Sequence, residues 1–203
     1  MAVVRLGDVA MISQGLSTSG RGAGARPGSW QLGLISGKDI EDDRVRVQAI
    51  EFINVDQNLR TEKHLLRPYD VLVTAKSTKV KVALVPPSAS RMVANSTLLV
   101  VRSDNPDLGS YLWWFLSSRH GRARLESMMV PSATLWSLSA GTLAELEVPM
   151  PELPRLFLIA QLVEASEQAY AAATEAAAIR RDSIRDHIIS HLLASEHLNG
   201  GLP

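Results

Sequence analysis

Lys76, Ser77, Thr78, Lys79 and Lys81 place three ammonium groups and two hydroxyls within six residues, interrupted only by Val80. Ammonium groups act as mobile point charges toward phosphate, and short hydroxyls bond to phosphate oxygens or base edges. The cluster sits between two Val- and Leu-rich runs, residues 70–74 and 80–85, which suit strands of a half-buried sheet. A hairpin built from them carries the lysines on a rigid tip. Such a tip fits a phosphate or nucleic-acid contact, and the same residues also fit a solvated turn.

Further basic side chains lie elsewhere in the chain. Arg119, His120, Arg122 and Arg124 form a second cluster, Lys38 follows Gly37, and Arg21 and Arg26 fall in a segment carrying Gly20, Gly22, Gly24 and Gly28. That segment, residues 16–29, reads as a loop that orders on a ligand or stays solvated. It is no phosphate loop, because no Gly-Lys-Ser/Thr closes it. The chain of 203 residues balances 21 basic against 21 acidic side chains. Net charge therefore announces no nucleic-acid partner, although a local patch is sufficient for one.

Tests for catalysis fail one after another. There are no cysteines, so thiol nucleophiles, disulfides and Cys-ligated zinc are excluded. The residues two before Lys38, Lys63, Lys76, Lys79 and Lys81 are Ser36, Thr61, Thr74, Ser77 and Lys79, so no acidic-x-Lys triplet of a nuclease core occurs at these lysines. Pro86-Pro87 lies between Val85 and Ser88 and does not make the Asn/Asp-Pro-Pro-aromatic motif of adenine methyltransferases. His187 and His191 have a helical zinc spacing, but Ile188 stands where a metalloprotease Glu would be. The expectation is no enzyme, no cofactor and no metal. The first residues contain Arg5 and Asp8 and no long apolar run, which predicts neither a leader peptide nor a membrane span.

The elements that position these residues read as α+β. Residues 5–13 predict a short amphipathic helix, 30–35 and 44–50 strands, and 51–58 remains ambiguous between strand and turn. Residues 92–94 and 98–102 read as strands, and 108–118 as a helix with Trp113 and Trp114 mainly in packing. Gly121 interrupts that helix, residues 122–126 resume it, and a loop around Pro131 holds Ser132 and Thr134. Val148-Pro149-Met150-Pro151 punctuates the chain, and one helix free of internal Gly and Pro follows over 156–193. Its apolar positions include Ile159, Leu162, Val163, Tyr170, Ala173, Ala177, Ile184 and Ile188, a coiled-coil-type seam whose alanines allow close approach of a partner helix. A helix folded back on its own domain is the other reading. The domains expected are 1–151 globular, 152–195 helical, and a frayed tail over 196–203.

The order of motifs is more specific than any one of them. Arg5-Leu6-Gly7-Asp8-Val9 opens the chain, and Asp70-Val71-Leu72-Val73-Thr74 precedes the basic turn and Val82-Ala83-Leu84-Val85. Ala94-Asn95 precedes a strand, and a helix runs from Ser110-Tyr111-Leu112 to Leu116-Ser117-Ser118. Leu138-Ser139 then leads to Val148-Pro149-Met150-Pro151, with Gln161 near the start of the long helix. This arrangement resembles the target-recognition half of the specificity subunit of type I restriction–modification systems, over almost the whole chain.

That resemblance implies a target-recognition domain with a twisted sheet and short helices, followed by a long helix that pairs antiparallel with another. It implies a reader of duplex DNA that docks a DNA methyltransferase subunit, with a restriction subunit as a further partner. With one copy of the domain, the chain resembles a half-subunit, expected to homodimerise through the long helix in the cytoplasm and read an interrupted, symmetric site. The expected DNA contacts are Lys76, Ser77, Thr78, Lys79, Lys81, Lys38, Arg21, Arg26, Ser132 and Thr134, while Arg119, Arg122 and Arg124 fit either contacts to the DNA backbone or a structural role. A protein-interaction adaptor of a phage-defence complex, without its own sequence reading, is the alternative.

Overall fold

The computed structural model describes residues 2–17, 29–56, 58–132 and 135–199. The chain begins with β1 (Ala2–Arg5), the single turn α1 (Leu6–Val9), β2 (Met11–Gln14), β3 (Ser29–Ile35), β4 (Ile40–Glu41), β5 (Arg44–Val45) and β6 (Glu51–Asp56). It continues through α2 (Leu59–Glu62), β7 (Val71–Thr74), β8 (Lys76–Ser77), β9 (Val82–Leu84), β10 (Met92–Ala94) and β11 (Leu98–Arg102). Then come α3 (Pro106–Ser117), α4 (Arg119–Ser127), β12 (Val130–Pro131), β13 (Trp136–Ser137), α5 (Ala140–Ala144), β14 (Glu147–Met150) and α6 (Leu153–Asn199). The α+β expectation is met. The chain divides into two units, Met1–Ala160 and Gln161–Pro203, so the first extends past the expected boundary at 151.

In the first unit a mixed six-stranded sheet runs in the order β2-β11-β7-β9-β5-β4. All four residues of β7 are buried, which is why its run of Val and Leu lacks an apolar–polar alternation. Leu72, Ala83, Leu98 and Val100 face a core shared with Ile35, Ile40 and Leu66. Helix α3 packs against β9 and β7 and buries Leu112 and Leu116 completely. A three-stranded sheet, β10-β3-β6, closes a smaller core around Leu16, Leu32, Val55 and Val93. Fully burying each such Leu or Val contributes about 1.5–3 kcal/mol, so these two cores hold the scaffold.

Several local expectations change. Residues 5–13 keep only one helical turn, because β1 pairs with β14 and β2 adds to the edge of β11. Strand pairing there outweighs the helical spacing of the apolar residues. The strand expected over 44–50 is confined to Arg44–Val45, with a 3-10 turn at Val47–Ala49, while Glu51–Asp56 forms a strand. Asp42 and Asp43 have φ of 47° and 61°, the left-handed geometry of a two-residue hairpin loop between β4 and β5. The indole N–H of Trp113 donates to the Asp43 carbonyl at 3.0 Å, and Arg122 pairs with the Asp43 carboxylate. The interruption expected at Gly121 falls earlier, at Ser118, whose hydroxyl accepts from the Gly121 N–H at 3.0 Å. A Cβ at Gly121 would lie 2.1 Å from the Phe115 carbonyl, so only glycine permits this close junction.

In the second unit α6 is helical through Asn199, so the tail expected to fray from 196 is helical up to that residue. The helix starts at Leu153, three residues before the expected position, with Pro154 in its first turn where a missing N–H costs nothing. No helix among the described residues is long and apolar enough to cross a membrane.

Candidate nucleic-acid interface

Strands β7 and β9 pair antiparallel as expected, with Leu72 opposite Ala83. The segment between them is more than a turn. Lys76 and Ser77 form β8, which pairs with β13, and β13 pairs with β12, giving a small three-stranded ribbon. The basic hairpin and the loop around Pro131, more than fifty residues apart, are thus brought into one element. The ribbon is pinned at its base. The Thr97 carbonyl accepts from the N–H groups of Ala75 and Lys76 at 2.7 and 3.3 Å, and the Ala75 carbonyl accepts from the Leu138 N–H at 2.8 Å.

Lys76, Thr78 and Lys79 are exposed on this ribbon, and Ser77 is half-buried. Neither the Lys76 nor the Lys79 ammonium has a partner among the described residues, and the Lys79 backbone N–H donates to the Ser77 hydroxyl at 3.2 Å. Lys81 has a different fate. Its ammonium donates to the carbonyls of Gly37 and Ile40, both at 2.8 Å, and its backbone N–H donates to the Thr74 hydroxyl at 3.0 Å. It ties the turn at Gly37–Asp39 to the hairpin, so its ammonium is committed within the fold. Asp39 closes that turn from inside, 3% exposed and accepting from the Ser36 N–H and hydroxyl.

The remaining expected contacts divide. Lys38 is exposed and lies 3.6 Å from the Glu51 carboxylate, a surface pair that a phosphate can displace. Ser132 is exposed on the ribbon, its hydroxyl donating to the Leu135 carbonyl at 2.9 Å. Arg21, Arg26 and Thr134 lie outside the described residues. Arg122 donates to the carbonyls of Ser117 and Val80 besides pairing with Asp43, and Arg124 donates to the Glu147 carbonyl at 2.7 Å. Both are engaged within the fold, in keeping with the structural one of the two roles open to them, whereas Arg119 is exposed.

Trp136 joins this element without any expectation from the sequence. It is 48% exposed on β13, opposite Ser77 on one side and Pro131 on the other. Its only signal was an indole in a short segment next to the loop around Pro131, and no local pattern paired that segment with the lysines. The adjacent pair on α3 behaves largely as expected for Trp113, which is buried, while Trp114 is 49% exposed and tilts against Tyr111.

Deeper in the first unit, Asp70 is buried and accepts from the Arg102 guanidinium at 2.9 and 2.5 Å and from the Arg67 N–H at 2.8 Å. The bonded Asp70 carboxylate holds the Arg102 pKa above its ordinary value. Burial raises that of Tyr111, whose hydroxyl donates to the Pro149 carbonyl. The rings of His187 and His191 lie edge to face at 4.6 Å. Among the described residues no group of three His, Cys, Asp or Glu side chains is placed to hold a metal ion. On α6, Leu162, Tyr170, Ile184 and Ile188 are 70%, 50%, 54% and 52% exposed, as a pairing face requires. Ala173 and Ala177 are exposed too, Ile159 is half-buried, and Val163 is buried.

No protein-family model and no curated protein sequence matches the chain. Solved structures do. A chain of a type I restriction–modification system superposes with a TM-score of 0.55 at 19% identity, over 86% of this chain and 40% of that one. The HsdS subunit from Thermoanaerobacter tengcongensis gives 0.53 at 19% identity, over 86% and 39%. The type I S subunit from M. genitalium gives 0.51 at 12% identity, over 82% and 39%. The chain spans about two fifths of the length of each of these proteins. Its fold is that of the type I restriction–modification specificity subunit.

Proposed function

We propose that this chain is a sequence-reading component of a type I restriction–modification-like system, binding duplex DNA through the ribbon of β8, β12 and β13. The observation that carries the reading is the pair of ammonium groups without a partner among the described residues, Lys76 and Lys79, on a pinned, exposed element of a specificity-subunit fold. Phosphates take the ammonium groups, and Ser77, Thr78 and Ser132 supply short-range polar contacts. Lys38 joins from the turn at Gly37–Asp39, and Arg21, Arg26 and Thr134 are further expected contacts. The chain does no chemistry itself and needs no cofactor. It works in the cytoplasm and docks a DNA methyltransferase subunit, with a restriction subunit as a further partner.

The long helix supports pairing with a second copy. Besides the face already described, Leu158, Leu162, Ala165, Ala169, Ala172, Ala176 and Ile179 recur at alternating steps of four and three residues with no charge among them. Leu158, Leu162 and Ile179 are 57%, 70% and 60% exposed, and the alanines between them let two helix backbones approach closely. An antiparallel pair would present two ribbons to a bipartite site.

Selection from a random duplex library, with the solution mass of the protein measured alongside, tests this reading. Enrichment of an interrupted palindrome by a dimer supports it; no enrichment contradicts DNA reading by the chain alone. The second reading is the adaptor without its own sequence reading. The inward use of Lys81, Arg122 and Arg124 favours it, since it thins the basic surface of a neutral chain. The adaptor would give a clean oligomer with no salt-sensitive DNA binding.

A further inference from the structure

We propose that Trp136 is a direct DNA contact of the ribbon, an apolar surface that packs against a base or deoxyribose while the neighbouring lysines hold phosphates. The inference rests on the duplex-DNA reading and adds the residue that gives it short-range grip.

Cross-strand partners in a ladder share a face, so Trp136 shares one with Ser77 and Pro131, and Lys76 shares the other with Ser137 and Val130. Small partners leave the indole uncovered. Val130 on the opposite face is 59% exposed, so neither face of the ribbon is packed on a core. A tryptophan left about half exposed on a rigid strand forgoes much of its burial energy, and such residues are enriched at the centres of binding sites. Duplex DNA is the occupant the charges favour, because Lys76 and Lys79 flank Ser77, the cross-strand partner of the indole. A narrow β-ribbon also fits the major groove, where an apolar side chain meets base edges and thymine methyl groups. The backbone bonds at Ala75, Lys76 and Leu138 fix the element before binding, so little ordering cost falls on the contact.

The test compares wild type, Trp136→Phe, Trp136→Ala and Trp114→Phe on a mixed-sequence duplex and on duplexes enriched by selection. Thermal unfolding is followed for each, so that loss of the ribbon is separated from loss of contact. Trp136→Ala should weaken binding to enriched duplexes about 5- to 100-fold at unchanged salt slope, with Trp136→Phe between it and wild type. Trp114→Phe should bind as wild type. Quenching of indole fluorescence by DNA should shrink in Trp136→Phe, a signal that a purely structural role would not move. Wild-type binding with Trp136→Ala unaffected overturns the assignment of Trp136 alone. Absence of wild-type binding overturns the DNA reading and the contact with it.

Discussion

Lys79 and Lys81 are two residues apart and do opposite work. Lys81, with Arg122 and Arg102 elsewhere in the same unit, is turned inward onto carbonyls and carboxylates. Lys76 and Lys79 stay on an exposed ribbon, and their ammonium groups bond to nothing among the described residues. An engaged cation stabilises the fold and offers little to a ligand; a free one stabilises nothing until a phosphate arrives. The difference teaches that a run of basic residues is a mixture of scaffold and surface, separable only by the partner each nitrogen finds.

The largest effect should come from the inward side. Arg102→Ala leaves the Asp70 carboxylate buried without its cation and should cost about 3–5 kcal/mol in denaturant unfolding. Lys81→Ala should cost about 2 kcal/mol, from two charge-assisted bonds to the turn at Gly37–Asp39, and leave the salt slope of DNA binding unchanged. Lys76→Ala and Lys79→Ala should each shift stability by less than about 0.5 kcal/mol and weaken binding to all duplexes alike. A stability loss at Lys79 matching that at Lys81 would erase the distinction.

A smaller effect sharpens the scaffold side through pH. Tyr111 ionises above its ordinary 10.0 in the folded chain, because burial disfavours the phenolate. The unfolded chain loses that proton first. The stability linked to Tyr111 is therefore intact below pH 10 and falls as pH rises through the folded value. Urea midpoints of wild type and Tyr111→Phe should diverge in slope above that pH, with the Phe variant the flatter.

The long-range scaffold was largely legible from local signals. The Val-rich runs around Leu72 and Val100, the helix containing Leu112 and Leu116, and the uninterrupted helix after Pro154 announce themselves by composition and period. Strands at the amino terminus were hidden because Leu6, Val9 and Ala10 happen to fall at helical spacing, and pairing with β14 and β11 decided otherwise. The candidate interface was half legible. The lysine cluster is visible in the sequence, but the meeting of Ser77 with Trp136 is a contact across 59 residues. The inward bonds of Lys81 were hidden for the same reason, since its acceptors, Gly37 and Ile40, lie far back in the chain.

The most direct test is the salt dependence of duplex binding for wild type, Lys81→Ala and the Lys76→Ala, Lys79→Ala double variant. Each phosphate neutralised contributes about 0.9 to the logarithmic slope. The account predicts that the double variant loses nearly two units of slope while Lys81→Ala keeps the wild-type value. Equal slopes for wild type and the double variant would contradict it and leave the ribbon without a role in holding DNA.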